Sequence, residues 1–353
     1  MSKHYLGVDY HKAFSVFCLK DEKGQVIRQR KINNTIDEVE SFLEKYQNVS
    51  AVMEAGRNWQ VRYDILEQRT KSVKLANPLM VKMIAQAKIK TDTIDAKVLA
   101  DLLRTNFLPT AHVPSIPARE ARQILRQKMH FTRISTMIKN RIHHLIDKYP
   151  DLIRPCKTNL FGKKNLVWLD NISIRENDRL VLNQDLALLK SVQERIVQSD
   201  QLIKNLYTVN PEIKYLQSIP GLGIFLATLI YYETDGVGRF KDEKHFHSYC
   251  GLIPFLHSSG GKTYTGPITN GGNKWLRFAF IEAVWPAIIN DSELKDYHYR
   301  MKQKKGPNPA KVATARRLAA IAYKIMKEKR YYYRKTSLPS NPIGRLDFSL
   351  VSR

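Results

Sequence analysis

The order of strand and helix signals between residues 4 and about 106 constrains the fold of this chain more than any other feature of its sequence. Short apolar runs predict the strands, and the capping-box pair Thr35 and Glu38 predicts the start of the first helix. The predicted strands cover 5–9, 14–19, 26–32, 49–54 and 72–75, and helices begin near 35, 58 and 92. Three strands followed by alternating helices and strands are typical of a ribonuclease H-like α/β domain.

Four acidic residues fall at the ends of these elements. The first strand ends at Asp9, and the strand that follows the first helix ends at Glu54. Asp92 and Asp95 lie three residues apart at the start of a helix, so both carboxylates would project from one face. Four converging carboxylates form a site for hard divalent cations, and we therefore expect a metal centre. The alternatives are a dipole-stabilised helix start for Asp92 and a surface acid for Glu54.

The charge of the chain indicates the substrate of such a centre. There are 58 Lys plus Arg residues against 33 Asp plus Glu in 353 residues, which gives a formal net charge of +25. This excess is typical of nucleic-acid-binding proteins, although a ribosome-associated or merely soluble basic protein is an alternative. A phosphodiester is therefore the expected target of the metal ions.

We expect a protein of the prokaryotic cytoplasm, associated with the nucleoid and without a membrane segment. The cysteines are far apart and have no C-x-x-C spacing, which indicates neither a disulfide framework nor a zinc site. Asp9 precedes any apolar run that an ordinary signal peptide would need, and the apolar stretch at 223–232 is too short to span a bilayer.

The middle of the chain predicts long helices. A proline-marked stretch at 109–117 predicts a boundary, and helices are expected over about 119–149 and 177–206. Two such helices would form an antiparallel pair that separates two domains or makes a dimer contact. Basic residues of the first helix, among them Arg122 and Arg126, would lie along a phosphate backbone or form a solvated face.

The remainder of the chain is rich in glycine and aromatic residues. The segment 219–223 is close to the pattern of a helix-hairpin-helix turn, in which Gly221 and Gly223 would let backbone amides approach a phosphate. An ordinary turn between two helices is the alternative. Residues 249–277 predict two glycine-rich loops before a helix, and a basic amphipathic helix is expected over about 302–329.

Several short motifs, taken in order, resemble the insertion sequence 110 family of transposases, which is related to the Piv/MooV DNA invertases. The motifs are GVDYHK at 7–12, MEA at 53–55, KTDTIDA at 90–96, IPGLG at 219–223, GLIP at 251–254, SG at 259–260, GN at 272–273 and LR at 276–277. Each motif alone is short, and the ordered set, which spans nearly the whole chain, carries the resemblance.

The resemblance implies an N-terminal RuvC-like (ribonuclease H-like) domain with an acidic tetrad that holds one or two Mg²⁺ ions. It also implies a C-terminal transposase domain with a catalytic serine. The family's serine directly precedes a glycine after the Gly-Leu-x-Pro element, which selects Ser259 over Ser258. The implied catalytic residues are Asp9, Glu54, Asp92, Asp95 and Ser259. The implied partners are donor and target DNA, a structured guide (bridge) RNA and further copies of the chain, as a dimer or tetramer.

The basic residues and glycines of these segments are expected to bind nucleic acid. They are Lys12, Lys90, Arg122, Arg126, Gly221, Gly223, Lys262, Lys274, Arg277, Arg316 and Arg317. The family often has Arg and Lys where this chain has Phe255 and Asn270. Lys262, Lys274 and Arg277 would compensate for these two departures.

The fold class is therefore expected to be α/β plus α. The expected domains are a RuvC-like catalytic domain at 1–108, a helical coiled-coil linker or dimerisation region at 109–210, a transposase domain at 211–335 and an irregular tail at 336–353. We expect a transposase or site-specific recombinase that cuts and rejoins DNA through a Mg²⁺-assisted phosphoserine intermediate. The alternatives are a RuvC-like nuclease or junction resolvase that uses metal-activated water, and a catalytically inactive nucleic-acid-binding protein.

Overall fold

The computed structural model describes residues 3–56, 58–85, 91–269 and 271–333 of the chain. The chain divides into two compact units, one ending at Pro114 and the other beginning at Ser115. The first unit is mixed α/β and the second is mainly helical, which confirms the predicted α/β region followed by an α region. Within the described ranges, none of the helices combines the length and the apolar character that a membrane span requires.

A six-stranded mixed sheet forms the centre of the first unit. Its strands are β1 (His4–Tyr10), β2 (Phe14–Lys20), β3 (Val26–Asn33), β4 (Val49–Glu54), β5 (Ser72–Ala76) and β6 (Thr110–Ala111). The spatial order is β3-β2-β1-β4-β5-β6, in which β1, β4 and β5 are parallel and the other neighbours are antiparallel. This topology is compatible with the predicted ribonuclease H-like domain.

Helices cover both faces of this sheet. They are α1 (Ile36–Leu43), α2 (Trp59–Arg69), α3 (Pro78–Ile84) and α4 (Asp92–Arg104). Helices α1 and α2 bury Phe42 and Leu66 against Val8 of β1, while α4 packs over Gly7. Successive residues of a strand point to opposite faces, so Asp9 shares the face of Gly7 and α4.

The sequence predicts most of this unit but neither α3 nor β6. Asn77 caps α3 by accepting a hydrogen bond from the backbone N–H of Leu79, and α3 has no buried residue. The helix therefore lacks the apolar stripe that would indicate it. Strand β6 has only two residues, too few for a periodic pattern.

Two long helices open the second unit. They are α5 (Ile116–Ile146) and, after the short α6 (Lys163–Asn171), α7 (Glu176–Val209). Lys128 in α5 pairs with Asp200 near the end of α7, and Lys148, just beyond α5, pairs with Asp178 near the start of α7. The two helices are therefore antiparallel, and buried apolar residues join them to α6 in one cluster.

The remaining elements are mostly helices, which share one apolar core around a central helix. They are α8 (Ile213–Gln217), α9 (Ile224–Thr234), a 3₁₀ turn at Val237–Arg239, α10 (Glu243–Tyr249), β7 (Pro254–Ser259), β8 (Lys262–Ile268), α11 (Lys274–Asn290), α12 (Ser292–Lys305) and α13 (Pro307–Glu328). The central helix is α11, whose Phe280 is buried with Phe246 of α10 and Leu318 of α13.

Two sequence predictions differ from the structure in this part of the chain. The predicted glycine-rich loops over 249–277 contain the antiparallel hairpin of β7 and β8. The predicted helix over 302–329 is divided between α12 and α13, because Gly306 has a φ of +83° and ends α12. Pro307 then occupies the first turn of α13, where its missing N–H costs no hydrogen bond.

Candidate metal centre and serine hairpin

Asp9, His11 and Asp92 bring their side chains together at one edge of the sheet. Asp9 lies near the end of β1, and Asp92 is the first residue of α4. One potential ligand atom from each of the three residues lies within 4.8 Å of the others. Nε2 of His11 lies 3.0 Å from Oδ2 of Asp9 and 3.4 Å from Oδ2 of Asp92. The imidazole therefore contacts both carboxylates.

Close packing of α4 on β1 produces this convergence. A Cβ atom added to Gly7 would lie 2.0 Å from the carbonyl oxygen of Ala96 and 2.7 Å from the backbone nitrogen of Ala100. Only glycine lets the helix approach the strand this closely. Thr91 fixes the start of α4, because its hydroxyl accepts a hydrogen bond from the backbone N–H of Ile94.

The electrostatics of the site favour a bound cation. Burial raises the pKa of Asp9, and the carboxylates of Asp92 and Asp95 raise it further, whereas the hydrogen bond and charge of His11 lower it. The net shift of the pKa is upward, since loss of water and nearby like charges both disfavour the ionised form. A divalent cation among these ligands would offset both effects. Carboxylates suit Mg²⁺ or Mn²⁺ and imidazole suits transition metals, so this donor set fits a divalent cation without selecting one.

The other two predicted ligands lie beside this group. Glu54 ends β4 and is next to Asp9, because β4 pairs in parallel with β1. Asp95 lies in the first turn of α4, and its charge acts on Asp9. Among the described residues, the convergent group includes neither Glu54 nor Asp95 but does include His11, which the sequence-based set lacks. The sequence feature that could have identified His11 as a member of this group is its place in the GVDYHK motif, two residues after Asp9.

Ser259 lies in the second unit, at the tip of the hairpin that β7 and β8 form. It is the last residue of β7 and pairs with Lys262 across Gly260 and Gly261. Both glycines have positive φ angles, +57° and +76°, which favour glycine at this tight turn. Ser259 is exposed, so a large substrate can reach its hydroxyl.

The guanidinium of Arg277 holds the base of this hairpin. Its Nε donates to the carbonyl oxygen of Gly251 at 3.0 Å. Its Nη2 donates to the carbonyl oxygens of Thr269 and Gly271 at 2.8 and 2.5 Å. Because these donors are occupied by backbone acceptors, Arg277 stabilises the segments that flank the hairpin, and its contact with nucleic acid stays a prediction.

Arg122 and Arg126 also have partners inside the protein. Arg122 is buried and donates to the carbonyl oxygens of Tyr232 and Glu233, each at 2.9 Å. Arg126 forms a two-point ion pair with the buried carboxylate of Glu233, at 2.8 and 2.9 Å. The guanidinium of Arg122 is therefore buried and that of Arg126 is paired with an acid, and the contact of these two residues with a phosphate backbone stays a prediction.

The turn at 219–223 uses glycine for helix packing. A Cβ on Gly221, whose φ is +87°, would lie 2.4 Å from the carbonyl oxygen of Ala283 and 2.8 Å from the backbone nitrogen of Ala287. Gly223 precedes α9 and has open space where a Cβ would lie. The close approach of α11 explains Gly221, and the phosphate contact of both glycines stays a prediction.

Some of the residues predicted to bind nucleic acid are exposed, namely Lys12, Lys274, Arg316 and Arg317. The ammonium of Lys274 lies 4.9 Å from the ring centre of Trp275, and the guanidinium of Arg317 lies 5.1 Å from that of Tyr297. Lys90 and Asn270 lie outside the described residues, as does the side chain of Lys262.

Two transposase family models match separate parts of the chain. A DEDD domain model of the IS110 type, described as a transposase, matches residues 6–150. The model described as the transposase IS116/IS110/IS902 family matches residues 213–299. The first match includes the acid cluster, and the second includes the serine hairpin.

Relatives align along most of the chain. The transposase for insertion sequence element IS1111A of Coxiella burnetii is 23% identical over 332 residues, which cover 93% of this chain and 90% of the relative. A probable family 20 transposase of Pseudomonas aeruginosa is 21% identical over 94% of this chain and 99% of the relative. The pilin gene-inverting protein of Moraxella lacunata is 25% identical over 94% of this chain and 98% of the relative. The chain therefore belongs to the IS110/IS116/IS902 family of transposases, enzymes that cleave and rejoin DNA.

Proposed function

We propose that this chain is the transposase of an insertion element and joins DNA through a covalent phosphoserine intermediate. The observation that supports this most is the convergence of Asp9, His11 and Asp92, whose ligand atoms lie within 4.8 Å of one another. Such a group in a strongly basic chain fits metal-assisted chemistry on a phosphodiester. We further propose that the first unit is a RuvC-like domain, with which its strand order is compatible.

Four carboxylates would hold one or two Mg²⁺ ions, namely those of Asp9, Glu54, Asp92 and Asp95. When bound, the cation supplies positive charge that neutralises the scissile phosphate and makes an attacking hydroxyl easier to deprotonate. His11 would position Asp9 and Asp92 through its contacts with both. The ring of His11 is itself stacked on Phe14, with ring centres 4.8 Å apart.

Ser259 would be the nucleophile. A neutral serine hydroxyl attacks poorly, so its proton passes to a base as it approaches the phosphorus. The Oγ–P bond forms while the P–O bond to the departing DNA oxygen breaks, and that oxygen takes up a proton. Attack of another DNA hydroxyl on the phosphoserine reverses these bond changes and joins the strands. The phosphoserine conserves the ester bond, so no ATP is needed.

A structured guide RNA would select the DNA. The family resemblance supports such an RNA, which would pair with donor and target DNA. Lysine and arginine contacts with phosphates carry no sequence information, so base pairing would supply the specificity that these side chains lack. The formal charge of +25 is suited to holding several nucleic-acid strands at once.

We propose that the active form is a dimer or tetramer. The antiparallel helices carry exposed apolar side chains, which are typical of a surface that another helix covers. On α7 these include Leu180, Leu188, Val197 and Leu202. An assembly of this kind would let Ser259 of one copy meet the acids of another, so that cutting requires assembly. The same chemistry would serve DNA inversion, which the name of the Moraxella relative describes for that protein.

The test is the detection of the covalent intermediate. The protein is expressed together with the DNA that flanks its gene, mixed with labelled element-end DNA and Mg²⁺, and run on a denaturing gel. Wild type should form a protein–DNA adduct, and both Ser259→Ala and Asp92→Asn should abolish it. Ser258→Ala is the matched control, because it removes the neighbouring hydroxyl of the same strand and should retain the adduct.

The same gel separates this proposal from a nuclease. Free cleaved DNA that persists in Ser259→Ala, with no adduct in wild type, would mean that metal-activated water is the nucleophile. Adduct formation in Asp92→Asn at the wild-type level would remove the acid cluster from the reaction.

A further inference from the structure

A cleft of about 860 Å³ opens in the second unit, away from the serine at the hairpin tip. It lies between α10, the base of the β7–β8 hairpin, α12 and α13. Its volume is within the range of about 300–1,000 Å³ that small-molecule sites have. Its apolar lining includes Leu252, Pro254, Ile268 and Val312. None of these residues takes part in the reaction proposed above.

The rim of the cleft is positively charged. Lys305, Arg316 and Arg317 contribute cations, against the carboxylate of Glu243 among the lining residues and that of the exposed Glu293, which pairs with Arg317 at 2.8 Å. The guanidinium of Arg317 lies over the ring of Tyr297, which also lines the cleft. A cationic rim around an apolar interior with an aromatic ring complements a ligand that is anionic at one end and flat and apolar at the other.

A buried histidine adds a hydrogen-bonding group to the lining. His247 is 3% exposed, and its Nδ1 accepts a hydrogen bond from Nε of Arg316 at 3.2 Å. Burial and the charge of Arg316 lower the pKa of His247, which favours the neutral ring. Because Nδ1 accepts the hydrogen bond from Arg316, the proton of the neutral ring lies on Nε2. Among the described residues, this Nε2 has no hydrogen-bond partner, and Oε1 of Glu243 is 3.7 Å away. Buried polar groups are normally paired, so a donor of this kind points to a missing acceptor.

We propose that this cleft holds one unpaired nucleotide of the bound nucleic acid. The base enters the apolar interior, where its polar edge accepts a hydrogen bond from His247, and the adjoining phosphate contacts Lys305 or Arg317. A base that is stacked and paired within a duplex cannot enter such a cleft, so the nucleotide must be single-stranded or turned out of its helix. This inference rests on the proposed function, since it takes nucleic acid to lie along the hairpin.

The position of the cleft relates this nucleotide to the scissile bond. Pro254 and Ile268 pair at the base of the hairpin, and Ser259 lies five residues further along β7. An extended strand rises about 3.3 Å per residue, which gives roughly 16 Å between the cleft and the serine. The held nucleotide therefore lies within a few positions of the bond that Ser259 attacks.

The test compares strands that differ only in their bases. Fluorescence anisotropy of the full chain is measured with four labelled probes of equal length: oligodeoxythymidine, oligouridine, an abasic strand and a duplex. Wild type should bind a base-bearing single strand about tenfold more tightly than the abasic strand, because a stacked base adds roughly 1–3 kcal/mol. A preference for oligodeoxythymidine would identify DNA as the source of the nucleotide, and a preference for oligouridine would identify RNA.

Filling the cleft should remove this preference. Val312→Trp should weaken binding of the base-bearing strand about tenfold and leave the abasic strand unchanged. Its matched control is Val209→Trp, at an exposed valine of α7. Thermal unfolding checks that the variant folds, and Ala313→Leu, a smaller change in the same lining, repeats the test. Arg317→Ala should weaken the binding of both strands, because it removes a phosphate contact, whereas Arg300→Ala on α12, outside the lining, should not.

Two results would overturn the inference. One is equal binding of base-bearing and abasic strands by wild type, and the other is an effect of Val312→Trp no larger than that of Val209→Trp. The assay involves no cleavage, so it does not depend on the serine chemistry. If Ser259→Ala keeps the base preference while wild type forms no adduct, the proposed mechanism fails and the nucleotide cleft remains.

Discussion

The buried acids of the two units have opposite kinds of neighbours. In the first unit, Asp9 is 9% exposed and lies among other carboxylates, with the partly exposed His11 as a neighbour. In the second unit, Glu233 is fully buried but lies between the guanidinium groups of Arg122 and Arg126. Negative charge is therefore concentrated at the sheet edge and balanced within the helical unit.

This difference distinguishes acids that are suited to binding a cation from acids that stabilise the fold through ion pairs. A buried acid with paired arginines is neutralised by the protein, and removing one partner leaves a charge without compensation. Neighbouring carboxylates are instead most stable as ions when a cation from outside joins them. The sequence shows only that both regions are charged, and the partner of each charge decides its role.

The largest expected effect is the loss of the balanced acid. Glu233→Ala leaves Arg122 and Arg126 close together without their carboxylate, and Asn273 loses the acceptor for its side-chain amide. We expect the free energy of unfolding to fall by about 4 kcal/mol. Urea denaturation measures this change.

The matched control for this prediction is Glu282→Ala, which removes an exposed acid of α11. An exposed substitution of this kind should alter the unfolding free energy by less than about 0.5 kcal/mol. If the two variants are equally stable, Arg122 and Arg126 are not held by Glu233, and their predicted role along a phosphate backbone gains support.

Gly7→Ala tests whether packing creates the acid cluster. The added Cβ would meet the carbonyl oxygen of Ala96 at 2.0 Å, so α4 must move away from β1 and take Asp92 with it. We expect a loss of about 3 kcal/mol in unfolding free energy, as for other overpacked cores. Gly56→Ala is the control, because a Cβ there meets no atom within 4 Å. A wild-type unfolding midpoint for Gly7→Ala would mean that β1 and α4 are not in this close contact.

Much of the first unit could be predicted from the sequence because its strands are buried. The apolar runs at 5–9, 14–19 and 49–54 fall within β1, β2 and β4, and the capping pair Thr35 and Glu38 correctly marks α1. Each of these signals is local: a run of core residues or a cap lies within a few positions of the chain. The same signals predict that Asp9 and Glu54 lie on neighbouring strand ends.

The parts that the sequence could not predict depend on distant partners. Arg126 and Glu233 are 107 residues apart, and nothing local distinguishes a paired arginine from one that faces a phosphate. His11 contacts Asp92 because Gly7 admits α4, which no pattern near His11 indicates. The sequence predicts loops where the β7–β8 hairpin lies, because glycines flank its strands; exposed apolar residues such as Phe255 show that these strands lack the buried face that gives a recognisable pattern.

Divalent cations should stabilise the acid cluster by a smaller amount. At a concentration of Mg²⁺ or Mn²⁺ about 100 times its dissociation constant, a bound ion adds roughly 2.7 kcal/mol to the stability of wild type. Asp92→Asn should gain much less, because one carboxylate of the convergent group becomes neutral. Thermal unfolding with added cation or with EDTA measures the difference.

Asp37→Asn, in the first turn of α1, is the control for this cation effect. It removes one carboxylate from the same unit and should keep the wild-type gain in stability. An equal gain in Asp92→Asn would show that the cations bind elsewhere. The acid cluster of the first unit would then not differ from the paired Glu233 by binding a cation.

The smallest expected effect concerns Asp242, a partly exposed acid that caps the start of α10, the helix that leads to the serine hairpin. The side-chain and backbone hydrogen bonds of His245 lower the pKa of Asp242 from 3.8 to about 2. A pKa lower in the folded than in the unfolded chain means that ionised Asp242 stabilises the fold above about pH 4 and loses this effect as the pH falls toward 2. Asp242→Asn should therefore be slightly less stable than wild type at neutral pH, and this difference in stability should disappear in acid. Thermal unfolding across that pH range measures it.

Asp296→Asn, at an exposed residue of α12, is the control. A difference in stability between Asp242→Asn and wild type that does not change with pH would mean that Asp242 stabilises α10 through its hydrogen bonds alone. The charge of this acid would then contribute nothing to the stability of the second unit.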